Sequence, residues 1–303
     1  MKILRNKKIS ALSTFGVGGR AEYFCEVQNA KELLSAFKFA KTKKMTYKLF
    51  AGGSNVVFPD GVMRGLLIRI KGGAIRRLTA RRLYVGAGVP LSRLITHTIT
   101  HGLAGLETLS GIPGTVGGAL VGNAGAYGHS IEEAVLRVCV WDGKKEIWIA
   151  RDECKFAYRE SIFKHNGFVV LGAELLFKKG NVKKLHETSK RIIKERLTKY
   201  PHGLMCPGSY FKNVLVEDIS PRAFKKIDMR KIMGGKLAAG YLLEAVGAKG
   251  MRRGGVGVAE YHGNLILNYG KGTAKETKAL AAILKRRVRM KFGIELQEEI
   301  RYL

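Results

Sequence analysis

The sequence predicts an α+β protein built from two domains. Three observations carry this reading. Short apolar stretches with strand character, punctuated by glycine, run up to about residue 180. Helical 3.6-residue periodicity then marks long stretches at 182–199 and 273–293. A chain of 303 residues is also long enough for two separate cores. The expected division is 1–180 and 181–303. Hydrophobic content of 46% and charged content of 26% are ordinary for a globular protein. No run approaches the ~18 apolar residues of a membrane span. The opening MKILRNKKIS lacks the apolar core of a signal peptide, so a cytoplasmic location is expected. Cys25, Cys139, Cys154 and Cys206 are far apart and form no C-x-x-C pair. They read as reduced thiols, with no disulfide frame and no zinc site.

The elements follow in order. Residues 12–28 hold a glycine turn and then a strand. Asn29 opens a helix, with Glu32 at its third position as in a capping box. Leu33, Leu34, Phe37 and Ala40 fall on one face, and Lys41, Lys43 and Lys44 suit the negative end of the dipole. Lys48–Val57 reads as strand, glycine corner and strand, the corner being Gly52-Gly53-Ser54-Asn55. GLLIRI at 65–70 and RRLYVGAG at 81–88 are strand-like. Pro90 starts a helix through Thr100, stopped by Gly102. His97 and His101 lie four apart, a metal-ligand spacing, but no third ligand stands near them, so no metal is assigned. Strands are expected at 134–141 and 146–149, and one bent strand or a pair at 167–177. Val182–Lys199 is a basic amphipathic helix ending before Pro201. Residues 236–257 hold a short apolar helix between glycines, and 261–268 a strand with His262 and Asn264 at its start. Thr273 and Glu276 box the last long helix, whose stripe is Leu280, Ile283, Leu284 and Val288. Gly293 ends it, and 295–302 reads as a final strand.

The densest feature is Gly102–Gly128, GLAGLETLSGIPGTVGGALVGNAGAYG, in which nine of 27 residues are glycine. Glycine reaches positive φ cheaply and lets backbone approach a ligand. Successive N–H groups in such turns form concave nests for anions, phosphates above all. Leu103, Leu106, Leu109, Ile112, Val116, Leu120 and Val121 argue that this stretch is packed inside a fold. A tight set of sheet crossings with no ligand is the competing explanation. No G-x-G-x-x-G heads a βαβ unit and no G-x-x-x-x-G-K-[ST] is present, so a nucleotide would be held by some other fold.

Ser110-Gly111-Ile112-Pro113-Gly114-Thr115-Val116-Gly117-Gly118, followed by Asn123-Ala124-Gly125-Ala126-Tyr127-Gly128, resembles the flavin-cradling segment of the UDP-N-acetylenolpyruvoylglucosamine reductase family. Further motifs stand in that family's order. Gly52-Gly53-Ser54-Asn55 is similar to its first pyrophosphate loop, with Ala51 where another glycine is usual. Tyr158-Arg159-Glu160-Ser161-Ile162-Phe163-Lys164 matches Tyr-Arg-x-Ser-x-Phe-Lys. Gly208-Ser209-Tyr210-Phe211-Lys212-Asn213 matches Gly-Ser-x-Phe-Lys-Asn. Ala239–Gly250 and Leu296–Arg301 match two more, with Glu298 in place of a proline. The resemblance runs from about Ser13 to Tyr302.

The resemblance implies a two-part FAD-binding domain of the vanillyl-alcohol-oxidase-like (PCMH) type, its subdomains split near 60–70, then a smaller α+β substrate-binding domain. The C-terminal strand would return to the active site. FAD would be noncovalent, since no histidine stands in the first loop, with NADPH as hydride donor. Gly52, Gly53, Ser54, Asn55, Ser110, Gly111, Ile112, Gly114, Thr115, Gly117, Gly118, Asn123, Gly125 and Tyr127 would hold FAD. Tyr158, Lys199, Lys212, Asn213, His262 and Asn264 would hold UDP-N-acetylglucosamine-enolpyruvate. Arg159, Ser209 and Glu299 would be catalytic. Hydride addition to C3 of the enolpyruvyl group leaves carbanion character at C2, conjugated with a carboxylate. Such charge needs a fixed cation and acidic hydrogen bonds. Arg159 fits the first need. Glu299 could donate only if burial raised its pKa, and Ser209 would deliver the proton to C2. Ser161 and Ser209 are closely spaced, as in family members of the short-loop type. The implied pathway is peptidoglycan synthesis.

The chain carries 54 Lys+Arg against 24 Asp+Glu, a net charge of +30. Such a field attracts polyanions, which keeps open a basic nucleic-acid-binding protein. The bases are spread along the chain with no arm, tail or nucleic-acid-binding signature, so no dedicated nucleic-acid partner is expected. A second alternative is another flavin oxidoreductase of the same fold, such as an alcohol or sugar oxidase. Arg159, Ser209 and Glu299 together weigh against it. A monomer is the expected state.

Overall fold

The computed structural model describes all 303 residues, Met1–Leu303. The chain divides into two compact units. The first comprises Met1–Arg5, Glu22–Gly52 and Arg64–His202, and the second Asn6–Ala21, Gly53–Met63 and Gly203–Leu303.

Besides two small two-stranded sheets, the first unit holds two larger ones. One is four-stranded, in the order Ile3–Lys8, Arg20–Val27, Val62–Ile70, Tyr47–Phe50. Its last two strands run parallel, and helix α1, Ala30–Thr42, packs on it through Leu33, Ala36 and Ala40. Asn29 caps α1 by accepting from the Glu32 N–H at 3.0 Å. Leu34 faces solvent, because the buried stripe runs through Leu33, Ala36 and Ala40 instead. The other sheet is antiparallel, in the order Glu146–Ala150, Val135–Trp141, Val169–Leu176, Arg82–Gly86, Ile75–Arg77. Residues 169–176 are a single strand, and its pairing with 135–141 shifts register twice. This sheet shares a core with α2, Leu91–Thr100, and with α3, Val116–Val121, which rises from the middle of the glycine-rich stretch.

Glu174 lies in the central strand of this second sheet, nearly buried. It pairs across both neighbours, with Arg137 at 2.8 Å and with Arg82. The Arg137 hydrogen bond, helped by Arg82, holds the carboxyl below the usual glutamate range. Helix α4, Val182–Lys199, also belongs to the first unit. The spatial division therefore falls after His202 and not near 180. Ser110 explains part of this, since its hydroxyl bonds Ser189 of α4 at 2.8 Å. His97 and His101 stack with ring centroids 4.2 Å apart, and no cluster of three metal-ligating side chains exists in the chain.

The second unit is built around α7, Ala274–Phe292, capped by the Thr273–Glu276 box and ended by Gly293 at φ 74°. Asp60 reinforces the cap by accepting from the Ala274 and Lys275 N–H groups at 2.8 and 3.0 Å. Leu280, Leu284 and Val288 are fully buried, together with Leu242 and Leu243 of α6, Ala239–Ala245. A four-residue helix, α5, spans Pro221–Phe224. Phe15 and Val17 enter this same core from the N-terminal part of the chain. Strands Arg252–Arg253, Val256–Ala259 and His262–Asn268 form an antiparallel sheet. The terminal segment is a ladder only at Arg301–Tyr302, parallel to Val56–Val57. Upstream of it, Glu298 makes a single bridge to Phe211.

All four cysteines are buried and free. Burial pushes the thiols of Cys25 and Cys139 to about 11 and that of Cys154 to about 12, and raises Cys206 as well. No helix is long and apolar enough to cross a membrane.

Candidate active site

In the first unit, the two glycine corners meet backbone to backbone. A Cβ on Gly52 would lie 2.8 Å from the Cα of Gly114, so a side chain there would displace the facing chain. Gly114 itself has φ 115°, a region closed to other L-residues. Hydrogen bonds from Leu91 N to Gly114 O, Val116 N to Val89 O and Gly117 N to Ala87 O hold this loop at 2.8–3.0 Å. Thr115 caps α3 by accepting from Gly118 N at 3.3 Å. Ile112 packs on the core, and Gly125 pairs with Ser130.

Asn123 is nearly buried and sits at φ 41°. Its Nδ2 donates to the Ala157 carbonyl at 2.9 Å, while its Oδ1 is buried without a hydrogen-bond partner. A buried amide oxygen left this way calls for a ligand donor. Ala157 and Glu160 exchange both backbone hydrogen bonds, at 3.1 and 3.0 Å. That closes a tight turn with Tyr158 and Arg159 at its tip. The Arg159 guanidinium stands 5.4 Å from the Tyr158 ring centre, and Arg159 has φ 56°. Ser161 is buried and donates to the Val121 carbonyl at 2.7 Å, which pins the turn to the end of α3. Tyr127 has φ 53°, so three of the six non-glycine residues at positive φ fall in this constellation. Such clustering marks functional sites, where backbone strain is retained.

Two α4 side chains stand over the glycine-rich loop without any sequence motif to announce them. Besides Ser189, the Arg196 Cδ lies 3.1 Å from where a Gly111 Cβ would be, and Arg196 Nε is buried without a hydrogen-bond partner. Only the helical phase of α4 could have pointed to them. Lys199, at the end of α4, lies 5.3 Å from the Tyr200 ring centre.

In the second unit, a ribbon sets Ser209 beside the C-terminal segment. Glu299 N donates to Tyr210 O at 2.8 Å, and Lys212 N to Gln297 O at 2.9 Å. Asn55 joins this ribbon: its Nδ2 donates to Glu299 O and its carbonyl accepts from Arg301 N, both at 3.0 Å. Thr14 donates from its N–H to Gly53 O at 3.2 Å and from its hydroxyl to Cys206 O at 2.8 Å. Asn213 Oδ1 accepts from Ala239 N at 3.1 Å, so it satisfies the first turn of α6, whose own N-cap is alanine. His262 Nδ1 accepts from Asn264 N at 3.0 Å. Asn264, nearly buried, bonds the backbone of Phe211 on both sides and does not simply project into a cleft. On the opposite edge, the Tyr210 and Tyr302 hydroxyls bond each other. Burial raises the Glu298 carboxyl there, opposed by Lys285 and Lys278.

Gly52, residues 110–118, Asn123, Tyr127, Tyr158, Arg159 and Lys199 thus belong to the first unit. Asn55, Ser209, Lys212, Asn213, His262, Asn264 and Glu299 belong to the second. The facing glycines and the unpaired Asn123 oxygen fit a nucleotide cofactor held largely by backbone.

The chain is similar to known proteins along nearly its whole length. Residues 201–303 match the family model described as UDP-N-acetylenolpyruvoylglucosamine reductase, C-terminal domain. Residues 21–150 match the FAD binding domain. The UDP-N-acetylenolpyruvoylglucosamine reductase of Solibacter usitatus is 43% identical over 296 residues, covering 97% of this chain and 95% of the relative. That of Aquifex aeolicus is 34% identical over 311 residues, covering 100% and 96%. The solved structure of UDP-N-acetylenolpyruvylglucosamine reductase from Thermus caldophilus aligns with a TM-score of 0.76 at 27% identity, over 99% of this chain and 98% of that one.

Proposed function

The chain belongs to the UDP-N-acetylenolpyruvoylglucosamine reductase family, and from that premise we propose that it reduces UDP-N-acetylglucosamine-enolpyruvate to UDP-N-acetylmuramate, using NADPH and noncovalent FAD. Bound FAD supplies the relay that takes a hydride from NADPH and delivers it to C3 of the enolpyruvyl group. Gly52, Gly114 and the neighbouring loop would hold its phosphates through backbone N–H groups, and Asn123 Oδ1 would accept a further hydrogen bond. This chain's own side chains do the rest. Arg159 holds the substrate carboxylate in a two-point fork and offsets the charge that spreads into it from C2. Ser209 gives its proton to C2, closing the atom balance of the reduction, and Glu299 lies alongside as a second acidic group. Lys199, Lys212 and Tyr158 are assigned to the diphosphate and sugar, with Asn213 and His262 as further substrate-binding residues.

The observation that carries this assignment of roles is the ribbon. It sets Ser209 one residue from the carbonyl that binds the Glu299 N–H. The protein acts in the cytoplasm as a monomer, with no dedicated nucleic-acid partner. The test is an NADPH-oxidation assay with and without the enolpyruvyl sugar. Yellow protein whose NADPH consumption depends on that sugar is expected, and rapid reoxidation by oxygen alone would point to an oxidase. Ser209→Ala should still let NADPH bleach the flavin yet stall reoxidation by the sugar. Equal loss of both steps would remove Ser209 from the role of proton donor.

A further inference from the structure

Asn264 spends both halves of its side-chain amide on one residue. Its Oδ1 accepts from Phe211 N at 2.9 Å and its Nδ2 donates to Phe211 O at 2.8 Å. Its own carbonyl accepts from Tyr210 N at 3.0 Å. Three hydrogen bonds from one nearly buried residue therefore fix the two consecutive residues directly after Ser209, Tyr210 and Phe211. The strand carrying Asn264 is shaped for this task. A register shift between Val258 and Ala259 leaves Gly263, Asn264 and Leu265 outside the ladder with the neighbouring strand. The Asn264 carbonyl is thereby released to meet Tyr210 N. His262 Nδ1 in turn holds the Asn264 N–H.

We propose that Asn264 is a positioning residue for the reduction. It keeps Ser209–Lys212 in register against Gln297–Glu299, so that the serine hydroxyl and the Glu299 carboxyl address the same substrate carbon. The proposal rests on the function proposed above. Without these three bonds the peptides next to Ser209 would lose their fixed orientation beside the C-terminal segment. Two backbone bonds, Glu299 N to Tyr210 O and Lys212 N to Gln297 O, join this segment to 297–299. Asparagine is required because the site needs one acceptor and one donor on a single planar group. Ionised aspartate is acceptor-only and would strand the Phe211 carbonyl.

The experiment compares Asn264→Asp and Asn264→Ala with the native protein. Flavin reduction by NADPH should change by less than about 3-fold, while reoxidation by the enolpyruvyl sugar falls about 100-fold, the scale of a small misplacement. The solvent deuterium isotope effect on reoxidation should rise, because proton delivery becomes limiting. Asn264→Asp should recover relative to native as pH falls, since the neutral acid again offers both a donor and an acceptor. Hydrogen exchange of the apoprotein provides a readout independent of turnover. The amides of Tyr210, Phe211 and Glu299 should lose protection, with α7 unchanged. Equal loss of both half-reactions, or unchanged amide protection, overturns the proposal. If native protein is not reoxidised by the sugar, the proposed function fails, and amide protection still decides the clamp.

Discussion

Arg159 occupies a left-handed backbone conformation, φ 56°, that arginine rarely adopts. The turn closed by Ala157 and Glu160, with Ser161 anchored on Val121, holds it there. The gain from this strain is direction, since the guanidinium stands at a turn tip instead of along a strand. Arg159→Lys keeps the charge and loses the fork, so kcat for the sugar should fall about 100-fold with flavin content unchanged. Retained turnover in a steady-state assay would deny the residue its role. The Tyr158–Lys164 block was legible through its resemblance to a family motif, since its composition alone reads as a surface loop. Its backbone strain was not, because nothing in a single sequence distinguishes an arginine at positive φ from one in a strand. Asn264 was legible as a polar residue at the start of a strand. Its engagement with Phe211 depends on pairing between segments far apart in sequence.

The elements show where local rules suffice. Val182–Lys199 is helical over the expected span because its limits are written locally, by Asn181 accepting from Lys184 N and by Pro201 beyond. The Thr273–Glu276 box is equally local, and Thr273→Ala should cost about 1 kcal/mol in urea denaturation. Gly114→Ala meets both the φ of 115° and the facing Gly52. It should lower flavin occupancy, measured by absorbance at purification, more than it lowers the unfolding midpoint. The final strand was less legible. Alternation over 295–302 is real, with Leu296 and Ile300 buried, yet the segment divides its backbone partners between residues 210–212 and 55–57. Across the larger sheet, the depressed Glu174 carboxyl predicts a pH effect with a definite sign. Its stabilisation is complete above the ordinary glutamate value and is lost as pH falls through that value toward the lower native one. Glu174→Gln should therefore destabilise the protein at neutral pH and flatten the acid limb of the stability profile, read by thermal melts from pH 7 to about 3.

For the whole molecule, the charge of +30 sets the solution behaviour. Self-repulsion of so many like charges opposes compaction and is screened over about 30 Å at 0.01 M salt but only about 8 Å at 0.15 M. The unfolding midpoint should rise with added salt over that range, and any association with nucleic acid should fade. An insensitive midpoint would mean that the bases are already neutralised. The two-unit division was legible as a count but not as a boundary. Asn6–Ala21 and Gly53–Met63 belong with the C-terminal unit, and residue periodicity carries no trace of such long-range membership. The buried thiols give this division a practical use. Cys25, Cys139 and Cys154 lie in the first unit and Cys206 in the second, all shielded from water and poor nucleophiles at neutral pH. An alkylating reagent can then label the native chain only through transient opening. Mapping which cysteine is modified first, by peptide mass, would time the breathing of each half in the same unmutated sample.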